Sequence, residues 1–330
     1  MAIGLLLFVC MRRDLFPTAL CNAARLGLAA TLLPASAFTA FAADTRTIFA
    51  PGVSESGGWY DVNKKSTALN PTWDFMACWA AAPSNMLEYW QDTYKAAGNT
   101  LPQNVLSGKG DQYGYELKIF EAFLENWQGE GTADPYLALR WYFTGEEHNR
   151  VNAPKPPKGS GGYWKEQYSE FEALLGESFI APEIHCYSGW EEAGGNPLEL
   201  FSNHVKEILS KGVASLVFNM GANSIGGALH ATTLWGAEVD ALGIVTAVYL
   251  TDSDDVGKSD SSLRRYEVAT SNGARKIVLS GTDYGTVGVT NLYGLTAYPI
   301  PEPSMFGALA GVFALGLAAT RRKLRRPRGV

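Results

Sequence analysis

The spacing of apolar positions changes character near the middle of the chain. After Cys78, residues Trp79, Ala82, Met86, Leu87 and Trp90 recur at the interval of one helix face. Glu116–Trp127, Pro135–Phe143 and Glu166–Leu175 repeat the helical pattern, the first through Phe120, Phe123, Leu124 and Trp127. Asn196-Pro197 reads as the cap and first residue of another helix. Leu198, Phe201, Val205, Ile208 and Leu209 form its apolar face, and Gly212 ends it. From there β-branched residues gather. Val213–Asn219, Thr232–Val239, Ile244–Thr251, Arg265–Thr270, Lys276–Leu279 and Leu292–Tyr298 read as strands. Asp240-Ala-Leu-Gly243 and Ser271-Asn-Gly273 supply turns between neighbours. Helices fill the first half and strands the second. That is an α+β layout, in which a site lies in a cleft between the halves. The Pro/Gly stretch Pro154–Gly162 reads as a surface loop within one domain.

Both ends depart from this pattern. Met11-Arg-Arg, the apolar stretch Leu26–Leu33 and Ala40-Phe-Ala42 have the order of an export leader, with cleavage after Ala42. The apolar residues ahead of Met11 make that methionine an alternative start. At the other end, Pro301-Glu-Pro303 precedes the apolar run Met305–Ala319 and the basic cluster Arg321–Arg328. A run of about 15 apolar residues is slightly short for a membrane span, and basic residues are retained on the cytoplasmic side. Such a tail gives an exported protein a transient hold on the membrane. The expected organisation is a leader at 1–42, one domain at 43–300 and a tail at 301–330.

Charge excludes one class of function. Of 27 basic residues nine lie in the two ends, against two of 33 acidic ones, so the central domain carries 18 against 31. A balance of −13 opposes nucleic-acid binding, which needs a basic footprint. No CxxC pair or Cys/His ligand spacing suggests a metal, and no cofactor is expected. Cys10 and Cys21 fall in the leader, which leaves Cys78 and Cys186.

Cys78 is the candidate nucleophile. It opens a helix, where free N–H groups and the helix dipole favour a thiolate. His230, at the start of a strand, is the candidate base. With the following turn centred on Ala241, His230 faces Asp252 at the end of the next strand, and a carboxylate there would orient the imidazole. Taken singly, each residue has a bland reading: an inert buried cysteine, a structural histidine, a solvated acidic loop.

Together these segments resemble a family. Gly58-Trp-Tyr-Asp-Val-Asn-Lys64, Cys78 ahead of Ser84-Asn-Met-Leu, His230 with Leu234-Trp-Gly-Ala, and Val248-Tyr-Leu-Thr-Asp252-Ser-Asp254 are similar, in order, to the IdeS/Mac cysteine endopeptidases. The resemblance spans roughly Gly57 to Tyr298 and is thin between Thr100 and Pro197. It implies a papain-like fold, a helix-rich half carrying the cysteine and an antiparallel-sheet half carrying the histidine and aspartate. It also implies hydrolysis of a protein substrate, immunoglobulin being one candidate. By the same resemblance Cys78 is the nucleophile, His230 the base, Asp252 the orienting acid, Asp254 a second acid near the histidine, and Lys64 part of the oxyanion hole. Trp79 stands where the streptococcal pattern has a glycine, a change that bears on the shape of the cleft. The tail resembles a PEP-CTERM sorting signal of Gram-negative bacteria, which implies a sorting peptidase as partner and release or attachment at the cell envelope. The same Cys-His-Asp trio also suits acyl transfer to an amine, as in transglutaminase-like proteins. A surface-binding protein that kept the fold without the chemistry is the reading from another class.

Overall fold

The computed structural model describes residues 45–65, 74–127, 134–145, 159–166, 184–190, 195–220, 228–255, 262–271 and 276–298. The leader, the tail, nearly all of the expected helix at Glu166–Leu175 and the Asn-Gly of the Ser271–Gly273 turn lie outside these residues.

The helix that begins at Cys78 runs to Ala96 (α1). It is not amphipathic. Ala80, Ser84, Asn85 and Gln91 are as buried as Trp79 and Trp90, which is the signature of a helix enclosed on all sides. Two shorter helices, α2 (Lys118–Trp127) and α3 (Pro135–Thr144), pack along it. Trp79, Phe123, Trp127 and Trp141 interlock there with ring centroids 5.1 to 6.2 Å apart. Asp134 caps α3 by accepting from the Tyr136 N–H at 2.8 Å, with Pro135 in the first turn. The helix predicted from Asn196-Pro197 is present as α4 (Pro197–Lys211), and Asn196 accepts from the Leu198 N–H at 3.1 Å.

Among the described residues eight antiparallel strands follow or flank these helices: β1 (Arg46–Phe49), β2 (Ile184–Ser188), β3 (Gly212–Asn219), β4 (Leu229–Val239), β5 (Val245–Thr251), β6 (Arg264–Ser271), β7 (Lys276–Thr282) and β8 (Gly285–Thr296). Their order is β1-β4-β3-β8-β7-β6-β5, and β5 returns to pair with β4. Six strands therefore close into a barrel-like sheet, with β1 added beside β4 and β2 beside β8. Closure satisfies backbone groups that open edges would expose. The sequence pattern predicts neither β1 nor β2, and it places the start of β8 seven residues late.

The sheet meets α1 through β3 and β4. β4 is buried along almost its whole length because α1 covers one side of it. Asn85 joins the two elements. Its Nδ2 donates to Thr233 Oγ1 at 3.0 Å, and its Oδ1 accepts from the Val62 N–H at 3.0 Å. The Gly58-Trp-Tyr-Asp and Leu234-Trp-Gly-Ala segments also meet. Trp235 donates to Thr251 Oγ1 at 2.9 Å, and that hydroxyl donates to Tyr60 O at 3.0 Å. Gly236 is there for space: a Cβ would lie 2.3 Å from the Phe49 ring of β1.

One expectation is corrected. Thr233 pairs with Thr251 and Leu234 with Leu250, which centres the hairpin near Leu242 rather than Ala241. His230 is not opposite Asp252 in the ladder; its strand partner is Phe218 of β3. Asp252 follows Thr251, the last paired residue of β5, so it reaches His230 diagonally along the same face. Bulges between Glu238 and Val239 and between Leu234 and Gly236 move the register by one residue in opposite senses and cancel.

Candidate active site

The site is built where the N-terminus of α1 meets the first residues of β4. Cys78 is the first residue of α1 and keeps partial exposure, and it is unpaired with Cys186, which is also a free thiol. The turn before it is pinned. The Ala77 N–H donates to Asp74 O at 2.9 Å, and the Asp74 carboxylate accepts from the Lys65 N–H at 2.7 Å and Tyr115 hydroxyl at 2.6 Å. The Cys78 Sγ lies 4.0 Å from Leu229 O and within hydrogen-bonding reach of His230 and the Ala231 N–H. Burial alone would raise the thiol pKa. The charge of His230, its hydrogen bond and the charge of Lys64 outweigh burial and bring it below the usual value.

His230 is 1% exposed. Its Nε2 and Asp252 Oδ1 are 2.7 Å apart, so Nδ1 is the nitrogen left for the thiol. Rings of Phe218 and Tyr284 pack at 5.3 Å centroid distance and hold the imidazole plane. Desolvation opposes its charge, but Asp252 and the Cys78 thiolate overcome that and push its pKa up to about 10. Asp252 is held below the ordinary carboxylate range: burial opposes ionisation, while His230, the Asp254 N–H and Lys64 favour it. The thiolate, imidazolium and carboxylate forms thus stabilise one another.

Asp254 and Lys64 form the next layer. The Asp254 N–H donates to Asp252 Oδ1 at 3.0 Å, and Asp254 Oδ2 accepts from the Tyr284 hydroxyl at 2.8 Å and lies 3.7 Å from His230 Nδ1. Lys64 is buried, pairs with Asp254 and donates to Phe75 O at 2.8 Å. Two of its three N–H groups are thus used among the described residues. Among the described residues the Cys78 N–H has no acceptor, as the first turn of a helix dictates. All five residues predicted from sequence, Lys64, Cys78, His230, Asp252 and Asp254, therefore stand in one connected group.

Sequence reasoning missed Tyr284, Phe218, Asn85 and Asp61. Tyr284 sits in the turn between β7 and β8, with no local signal of its contact to Asp254. Asp61, in the Gly58-Trp-Tyr-Asp segment, has its pKa raised to about 8 by burial and by Asp255 and Asp252, which favours the protonated carboxyl. His230, Asp252 and Asp254 present ligand atoms within 4.8 Å of one another. The Lys64 cation already neutralises Asp254, so the group suits a proton relay better than a divalent ion. Trp79 does not shape the cleft by its side chain: it is 3% exposed and packs on Phe123 and Trp127, inside the helical layer.

A family described as Mac-1 (Mac 1) matches residues 38–112 and 192–289, the two stretches that hold every residue of the site. The IgM protease of Streptococcus suis (strain P1/7) is 25% identical to the chain over 209 residues, 60% of this chain and 18% of that relative. The chain spans under a fifth of the length of the relative it matches.

Proposed function

The chain belongs to the Mac-1 family, and from that premise we propose that it is an exported cysteine endopeptidase. One observation supports this above others: a thiol at the first turn of α1 lies against an imidazole that Asp252 holds at 2.7 Å. Cys78 Sγ attacks the scissile carbonyl carbon, and the carbonyl oxygen becomes an oxyanion. The Cys78 N–H and the remaining Lys64 N–H stabilise it. The C–N bond breaks as His230 passes its Nδ1 proton to the leaving amine, leaving a thioester on Cys78. Water then gives a proton to His230 and its oxygen to the acyl carbon. The product leaves with a new carboxylate and the thiolate is restored. Asp252 keeps the imidazole in place and balances its charge.

Immunoglobulin is the substrate to test first, since the streptococcal relative is named for IgM. On the same reading residues 1–42 are a leader, and 301–330 a sorting tail that a peptidase of a Gram-negative cell envelope removes. The test is incubation of the protein with immunoglobulins M and G, with and without an added primary amine, followed by mass spectrometry of new chain ends. Hydrolysis gives free carboxyl ends in both conditions. Amide-blocked ends would favour acyl transfer instead, and the absence of new ends would remove immunoglobulin as substrate.

A further inference from the structure

Large apolar side chains left in solvent are few among the described residues: Phe75, Met76, Tyr113, Leu229 and Leu242. Three of them frame the thiol. Phe75 (40% exposed) and Met76 (42%) are in the turn just before Cys78, and Leu229 (54%) directly precedes His230. Scattered exposed apolar residues need no explanation. Three that adjoin the thiol and its imidazole in the chain, from both halves of the fold, do.

Their backbones are hydrogen-bonded to the rest of the fold. The turn that carries Phe75 and Met76 is tied at four points: Ala77 N–H to Asp74 O at 2.9 Å, Lys64 Nζ to Phe75 O at 2.8 Å, and Lys65 N–H and Tyr115 hydroxyl to the Asp74 carboxylate. Leu229 is the first residue of β4, paired with Asn219 of β3. Side chains alternate along a strand, so burying His230 turns Leu229 outward. Its carbonyl oxygen lies 4.0 Å from Cys78 Sγ. The fold therefore holds exposed apolar groups next to Cys78 and next to His230. Beneath the thiol the wall is also apolar, since Cys78 and the half-buried Tyr136 pack on Ala82, Val217, Ala231 and Tyr293.

We infer that Phe75, Met76 and Leu229 are specificity-determining residues, and that the substrate is an extended protein segment with large aliphatic or aromatic side chains flanking the scissile bond. The inference rests on the peptidase reading and adds the chemistry of the substrate. Burying such a side chain in an apolar subsite is worth on the order of tenfold in kcat/KM or more. Leu242 serves as an internal control. It is exposed too, but it lies at the far end of β4, ten or more residues at ~3.3 Å each from Leu229.

The experiment is cleavage of a random peptide library, then of paired peptides that carry leucine or serine beside the scissile bond. Wild type, Met76→Ser, Leu229→Ser, Leu242→Ser and Cys78→Ala are compared. Met76 and Leu229 are chosen over Phe75, whose ring centroid is 5.9 Å from Lys64 Nζ. Wild-type cleavage sites should be enriched in large apolar residues. The leucine-over-serine ratio of kcat/KM should fall about tenfold in Met76→Ser or Leu229→Ser and stay unchanged in Leu242→Ser. Cleavage without apolar enrichment, or an unchanged ratio in both test variants, would overturn the inference and leave the peptidase reading standing. A wild type that cleaves whole protein but no peptide would overturn the inference and leave the peptidase reading standing.

Discussion

Asn85 of α1 donates to Thr233 of β4 at 3.0 Å, and this buried bond ties the helix that carries the thiol to the strand that carries the imidazole. The same Asn85 side chain accepts from Val62, two residues before Lys64. One amide thus indexes three segments that are distant in sequence. Removing it leaves a buried backbone N–H without a partner, at a cost of about 1–3 kcal/mol. Asn85→Ala should lower the unfolding free energy by that amount, and Thr233→Val, which leaves the Val62 bond intact, should cost less. Denaturant melts of the two variants measure the order.

Asp252 and Asp254 have separable roles. Asp252 contacts the imidazole at 2.7 Å, whereas Asp254 engages Lys64, Tyr284 and, at 3.7 Å, His230. Asp252→Asn should lower kcat by roughly two or more orders of magnitude with KM little changed, because an amide does not balance the imidazolium charge. Lys64→Met should lower kcat on the order of 10²-fold through the oxyanion. Steady-state kinetics on one peptide compares them. A mild Asp252→Asn beside a severe Asp254→Asn would mean that Asp254 is the orienting acid.

The thiols should differ in pH response. His230 and Lys64 lower the pKa of Cys78, while burial and Asp134 raise that of Cys186. At pH 6 iodoacetamide should therefore label Cys78 and leave Cys186 largely unmodified, as peptide mapping will show. Labelling of Cys78 should slow at lower pH as its thiolate gains a proton.

Asp61 gives a stability prediction with a definite sign. Its carboxyl has a pKa of about 8 in the fold against an ordinary value near 3.8, so the folded state holds a proton that the unfolded state has lost between these limits. Its contribution is complete below about pH 4 and is lost as pH rises to 8. Asp61→Asn, a neutral near-isostere, should flatten the fall in unfolding midpoint across that window. Midpoints at pH 4, 6 and 8 for both proteins test this, and parallel curves would count against a buried neutral Asp61.

Much of this architecture was legible in the sequence because local chemistry specifies it. Asn196-Pro197 and Gly212 bound α4, and the β-branched runs mark β3 to β7. The five site residues were legible as well, through ordered segments rather than through any one of them. What escaped depends on tertiary structure. β1 and β2 are short strands that find their place only beside β4 and β8. The β4–β5 hairpin is centred one residue later than its turn sequence suggests and carries two cancelling bulges, which no residue type announces. Trp79 suggested a changed cleft because its position next to Cys78 was visible, while its orientation toward Phe123 and Trp127 was not. Tyr284 reaches Asp254 from the β7–β8 turn across 30 residues.

The central claim is that Cys78 is the nucleophile of a hydrolytic reaction. The most direct measurement is mass spectrometry of peptide products formed in ¹⁸O-labelled water by wild type and by a folded Cys78→Ala variant. The account predicts new carboxyl ends that carry one water-derived oxygen with wild type, and none with Cys78→Ala, since the thiol held against His230 is then gone. The same products at comparable rates from Cys78→Ala would contradict it.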